Sequence, residues 1–171
     1  SSTVENRAAA DGRATEELGR FYAKLARGQV GLIISGGAYV QRSGRSLKHL
    51  LGLHSDEMVP PLARVYRHVH EAGGRLAVQL YHAGRQTKTE LIGQTPLAPS
   101  AVKDFLTKLT PRAMEPEEIA DTIAAFGKAA RRAREAGCDA VQVMAGHGYL
   151  INEFLSARTN RRRDEYGGSL D

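Results

Sequence analysis

Apolar positions along this chain follow two alternating periods. Where they step by three and four residues, a helix buries one stripe. Where they cluster over about five residues between glycines, a strand is buried on both faces. Ser1 to Arg13 is polar and aperiodic, a loose leading segment. The first predicted helix follows Thr15, a good N-cap, with Glu16 and Glu17 against the positive end of the helix dipole. Leu18, Phe21, Tyr22 and Leu25 share its inner face, and Gly28 closes it. The first strand is predicted at Val30 to Ile34, with Ser35-Gly36-Gly37 after it and a polar loop from Ala38 to His54.

The second helix starts between Ser55 and Pro61, since Pro60-Pro61 fits a first turn but kinks an interior. Leu62, Val65, Tyr66 and Val69 form its apolar face, and Gly73-Gly74 ends it. Leu76 to Leu80 is the second strand, followed by a polar loop from Tyr81 to Glu115. Loops of that length are usually functional or disordered, so a rim or lid over a site is one role open to it. The third helix opens at Pro116, carries the stripe Ile119, Ile123, Phe126, Ala130 and Ala133, and closes at Gly137. A buried strand from Asp139 to Met144 follows, and Leu150 to Ser156 reads as a short helical turn. Strands alternating with helices imply a parallel sheet. A doubly wound sheet and a segment of a barrel both fit. No Gly-x-Gly-x-x-Gly or Gly-x-x-x-x-Gly-Lys loop follows any strand, so the usual nucleotide-loop signatures are missing.

Composition narrows the class. A chain of 171 residues is one domain by length and can bury a sizeable core. No stretch approaches the roughly 20 apolar residues of a membrane helix, and no charged-then-apolar leader is visible. The single cysteine, Cys138, rules out an internal disulfide framework. A cytoplasmic protein without a membrane partner is expected. The net charge of +5 suits an anionic ligand. Arg158, Arg161, Arg162 and Arg163 hold part of the excess. Helical display and interleaved aromatics are lacking there, so a solvated or salt-bridged loop is favoured over a nucleic-acid contact.

Three places carry candidate chemistry. Gly36-Gly37 either lets backbone approach a flat ligand or merely makes a turn. Gln79 is an amide inside an apolar run, and a buried amide needs a partner, in the core or on a ligand. His147 and Tyr149 lie just past the carboxyl end of the third strand, where ligands bind in α/β proteins.

His147-Gly148-Tyr149-Leu150, Phe154-Leu155-Ser156, Asn160, Arg162, Asp164 and Tyr166-Gly167-Gly168-Ser169 resemble the signature of the old yellow enzyme family, FMN-dependent NADH:flavin oxidoreductases and ene-reductases. Gln79-Leu80-Tyr81-His82-Ala83-Gly84-Arg85 and Gly31-Leu32-Ile33-Ile34 extend the likeness upstream, in the family's order. The resemblance decides for a (β/α)8 TIM barrel, α/β in class. The chain would be one partial FMN-binding domain covering about barrel strands 2 to 4.

It also implies roles. NAD(P)H would reduce FMN, and the reduced flavin would pass hydride to an activated alkene of the enone type. Tyr149 matches the proton donor; a phenol is a neutral acid at neutral pH. His147 matches one member of the pair that binds the substrate carbonyl oxygen. The other member falls on Met144, whose thioether cannot donate a hydrogen bond. Gln79 matches the amide on the flavin pyrimidine edge, and Gly37 the small residue beside the ring. His82 and Arg85 are expected to be mainly structural, as are Asn160, Arg162 and Asp164. No metal is expected.

A complete barrel takes about 250 residues. Half of one leaves two open sheet edges, which call for a second copy of the chain or the missing barrel half. The competing reading is therefore a truncated, non-catalytic remnant or assembly module that keeps the scaffold without flavin chemistry.

Overall fold

The computed structural model describes residues 4–168; Ser169 of the signature lies outside them. Helix α1 spans Glu16–Arg27, and Thr15 caps it, its hydroxyl accepting from the Leu18 amide at 3.2 Å. Strand β1 is Ile33–Tyr39, helix α2 Val59–Glu71 with its prolines in the first turn, and strand β2 Leu76–Tyr81. The long loop holds a single helical turn, α3 (Thr89–Ile92), and a short parallel ladder of β3 (Leu97–Ala98) with β4 (Arg112–Ala113). Helix α4 runs Pro116–Glu135, strand β5 is Ala140–Val143, and helix α5 is Leu150–Leu155.

The main sheet is parallel, in the order β1-β2-β5. Its core is the apolar side of α1, α2 and α4 against β1 and β2, with Leu62, Val69, Leu76, Val78 and Leu80 all at 2% exposure or less. Each residue of β2 is buried, as expected of a strand with neighbours on both sides.

Three expectations need correction. The first strand lies further along than Val30 to Ile34. Val30 and Leu32 are exposed, and pairing with β2 begins at Ile33. Ser35-Gly36-Gly37 is thus inside the strand, and the register slips between Ile34 and Gly37. Ser35 repairs the ladder at this bulge, its hydroxyl accepting from the Gln79 amide at 3.1 Å.

The stripe on α4 is also rotated. Its buried residues are Ile119, Thr122, Ala125, Ala129, Arg132 and Ala133, while Ile123 is 62% exposed. Alanines allow close approach to the sheet. Arg132 can enter because Nε donates to Asp56 at 2.7 Å and Nη1 to the Leu53 carbonyl at 3.0 Å. Finally, β5 is not buried on both faces. It is an outer strand of the sheet among the described residues, and Val143 is 52% exposed. Val143, Ile123, Phe126 and Leu155 line an open apolar groove of about 490 Å³. No described helix is long and apolar enough to cross a membrane.

Candidate active site

Gly37, Gln79 and Gln142 form one row across the sheet, paired Gly37 to Gln79 and Gln79 to Gln142. The period of two then places Tyr81 on the same face as Gln79, one row toward the carboxyl end. Gln79 is 2% exposed. Its side-chain NH2 donates to the Gln142 carboxamide oxygen, and its own Oε1 accepts no bond among the described residues. An acceptor left free in this way can take a hydrogen bond from a ligand, and an N–H on a flat heterocycle is one that fits.

Gly37 has a more specific reason than a turn. A Cβ there would come within 2.7 Å of the Tyr81 ring. That ring leans on Tyr149, centroid to centroid 5.2 Å at 47°. The Tyr81 hydroxyl lies 3.0 Å from the Ser46 hydroxyl, and burial pushes its pKa well above the ordinary phenol value.

Tyr149 comes to this place through the backbone of its neighbours. His147 and Gly148 both take left-handed backbone, φ +61° and +74°. That costs the histidine about 1 kcal/mol or more and persists because the turn is held from several directions. Gln86 Nε2 donates to the His147 carbonyl at 3.0 Å, Gly148 N to Asn152 Oδ1 at 2.9 Å, and Leu150 N to the His82 carbonyl at 3.0 Å. Tyr149 then opens α5, its carbonyl accepting from Glu153 N at 2.8 Å. Its hydroxyl takes no partner among the described residues.

The result is a cleft lined by Gly37, Gln79, Tyr81 and Tyr149 on the sheet side, and by Ser46, Leu50, Leu47 and Val4 from the loops. Three of the sequence candidates, Gly37, Gln79 and Tyr149, meet there. His147 does not line it and is exposed. Met144 does not line it either. Only 8% exposed, it packs with Tyr39, Leu50, Tyr81 and Ala83. Tyr81, Ser46 and Gln142 were missed by the sequence reading. Gln142 carries the same signal as Gln79, an amide inside an apolar run, and Tyr81 follows from strand period once Gln79 is placed.

Behind the cleft lies a brace built on the buried residues His82, Asp104 and Glu153. His82 accepts from Gly84 N at Nδ1 (3.1 Å), so Nε2 carries the proton and donates to Ser43 (3.2 Å). Burial lowers its pKa to about 4. Glu153 accepts from Arg85 N at 3.0 Å and lies 3.9 Å from the Arg85 side chain, which is 3.5 Å from Asp104. Desolvation is the largest influence on Glu153 and raises its pKa to about 8, despite Arg85. The signature's tail is likewise structural. Asn160 Nδ2 donates to the carbonyls of Phe154 (2.9 Å) and Tyr166 (2.7 Å). Arg162 holds Asp164 at 2.9 Å and the carbonyls of Pro99 (3.1 Å) and Met114 (2.6 Å). Among the described residues no cluster of histidine, cysteine and carboxylates could hold a metal.

Comparison with known proteins bears on what this cleft is for. The profile of the NADH:flavin oxidoreductase / NADH oxidase family matches residues 1–171. The chain belongs to this family. The NADPH dehydrogenase of Bacillus subtilis is 44% identical over 159 residues, covering 93% of this chain and 46% of that protein. A metal reductase of Desulforamulus reducens is 42% identical over 160 residues, 94% of this chain and 24% of the relative. The solved old yellow enzyme homologue of Zymomonas mobilis superposes with a TM-score of 0.88 at 36% identity, covering 98% of this chain and 49% of that one. The chain thus spans about half or less of the length of the relatives it matches. The three main strands and their helices are a partial TIM barrel of the old yellow enzyme type.

The family works with FMN and a reduced nicotinamide nucleotide. The residues present fit one edge and one face of a flavin: a buried carboxamide with a free acceptor and a bare glycine backbone beside it. The cleft measures only about 40 Å³ within the described residues, against the 300 Å³ or more of a usual cofactor pocket, so they would supply one wall of the enclosure.

Proposed function

We propose that this chain forms the half-barrel of an FMN-dependent oxidoreductase that carries hydride from NAD(P)H to an activated alkene of the enone type. The observation that carries the reading is the convergence of Gly37, Gln79 and Tyr149, from three separate segments, on one cleft at the carboxyl ends of parallel strands. A bound flavin would supply the hydride-transfer chemistry. Gln79 would hold its pyrimidine edge through the free carboxamide oxygen. Gly37 leaves room beside the ring, and Tyr81 fixes the position of Tyr149. The Tyr149 hydroxyl, free of partners, would deliver the proton to the substrate's α-carbon. His147 would donate a hydrogen bond to the substrate carbonyl as negative charge develops there.

Met144 cannot give the second such bond. Loss of one donor of this kind typically costs on the order of 100-fold in rate, so slower turnover of simple enones than of better-activated alkenes is expected. The test is titration of the protein with FMN, followed by NADPH-dependent reduction of 2-cyclohexenone. Flavin binding that weakens tenfold or more in Gln79→Leu supports the assignment. A protein that ignores FMN supports the scaffold-only reading instead.

A further inference from the structure

A second pocket opens at the same carboxyl end of the sheet, beside the His147–Tyr149 turn. Its volume is about 370 Å³, and Gly148 forms part of its wall, while the next residue, Tyr149, lines the cleft described above. All its walls come from segments that follow the carboxyl ends of β2 and β5. In barrels of this kind that face carries the ligands.

The pocket's charge is lopsided. Lys103, Arg158 and Arg161 are exposed on its rim and form no ion pair among the described residues. The acids close by are already engaged. Asp104 is buried against Arg85, and Glu153, with its raised pKa of about 8, is protonated at neutral pH. Three uncompensated cations around a concave site attract a phosphate strongly.

An aromatic ring is displayed beside them. Phe105 is 71% exposed, with the Lys108 ammonium 5.9 Å from its ring centroid. A rigid turn holds it there. Asp104 Oδ2 accepts from Leu106 N at 3.1 Å, Thr107 N at 2.7 Å and the Thr107 hydroxyl at 3.0 Å. Phosphate-binding cations next to a stacking ring are the two halves of a nucleotide site.

We propose that this pocket receives the phosphorylated adenosine end of the reduced dinucleotide, the phosphate among Lys103, Arg158 and Arg161 and the adenine on Phe105. The dinucleotide would then straddle the His147–Tyr149 turn, with its nicotinamide in the first cleft. The choice of a dinucleotide rests on the oxidoreductase reading; the binding of a phosphoadenosine does not.

The test is calorimetric titration with adenosine 2′,5′-bisphosphate, with and without FMN. Binding should weaken about tenfold for each of Arg158→Ala and Arg161→Ala, and also in Phe105→Ser. These side chains are exposed, so the variants keep the fold. In the flavin-loaded protein the arginine variants should raise KM for NADPH about tenfold and leave KM for reduced nicotinamide mononucleotide unchanged. Inorganic phosphate binding as tightly as the bisphosphate, or indifference to Phe105→Ser, overturns the nucleotide assignment. Tighter binding of adenosine 3′,5′-bisphosphate would reassign the pocket to a 3′-phosphorylated carrier and overturn the dinucleotide. A protein that binds the 2′,5′-bisphosphate but takes no flavin keeps the pocket and loses only the proposed reaction.

Discussion

Glu153→Gln should change how stability depends on pH more than it changes stability itself. The carboxyl sits under the turn that presents Tyr149, with a pKa raised to about 8. Unfolded, it would titrate near the ordinary glutamate value of about 4.3. Between these values the unfolded chain has lost the proton while the folded chain keeps it. Fewer protons in the unfolded state mean that stability falls as pH rises through this window. At 1.36 kcal/mol per pH unit, the fall between about pH 5.5 and about pH 8 is roughly 3 kcal/mol at most. Glutamine has the same shape, can still accept from Arg85 N, and cannot ionise. Urea denaturation of both proteins at the two pH values gives the difference directly. His82, whose lowered pKa acts in the opposite sense as pH falls from about 6.5 toward 4, is common to both proteins and cancels. The wild type should lose roughly 3 kcal/mol relative to the variant on going to the higher pH. Parallel pH dependences would refute the buried, protonated carboxyl.

Two further substitutions probe the walls of the cleft. Gly37→Ala should destabilise the protein by about 1–3 kcal/mol, because the new methyl group must displace the packed Tyr81 ring; a thermal melt measures it, and loss of flavin affinity should accompany it. Arg162→Lys should cost about 1–3 kcal/mol in the same assay, since one ammonium cannot replace a planar fork that holds Asp164 and the carbonyls of Pro99 and Met114; a silent substitution would show that the signature's tail is not held by these bonds.

Much of this architecture was legible from the pattern of apolar residues. The helix after Thr15 and the strand through Gln79 are where capping and burial put them, since local chemistry and tertiary packing agree there. The first strand was misplaced because its centre, Ser35-Gly36-Gly37, has poor strand propensity. Its pairing with β2 on both sides of the bulge, bridged by the Ser35 hydroxyl's bond to Gln79 N, makes it a strand, and that depends on the partner. The stripe on α4 was misread for a similar reason. Periodicity scores Ile123 above Thr122 and Arg132, but Thr122 is bonded by Gln41 and Arg132 by Asp56 and the Leu53 carbonyl, all far away in the chain. At the site, Gln79 stood out as an amide inside an apolar run and Tyr149 as a phenol just past a strand end. Tyr81, read simply as the start of a loop, did not, although its ring packs against Tyr149 and lies against the Gly37 position.

Rates of the two half-reactions, measured separately under anaerobic conditions, test the central assignment most directly. If Tyr149 is the proton donor, Tyr149→Phe leaves reduction of the bound flavin by NADPH unchanged. It slows reoxidation by 2-cyclohexenone about 100-fold or more, the usual contribution of a positioned acid. Equal rates for the variant and the wild type in the second half-reaction would contradict the account.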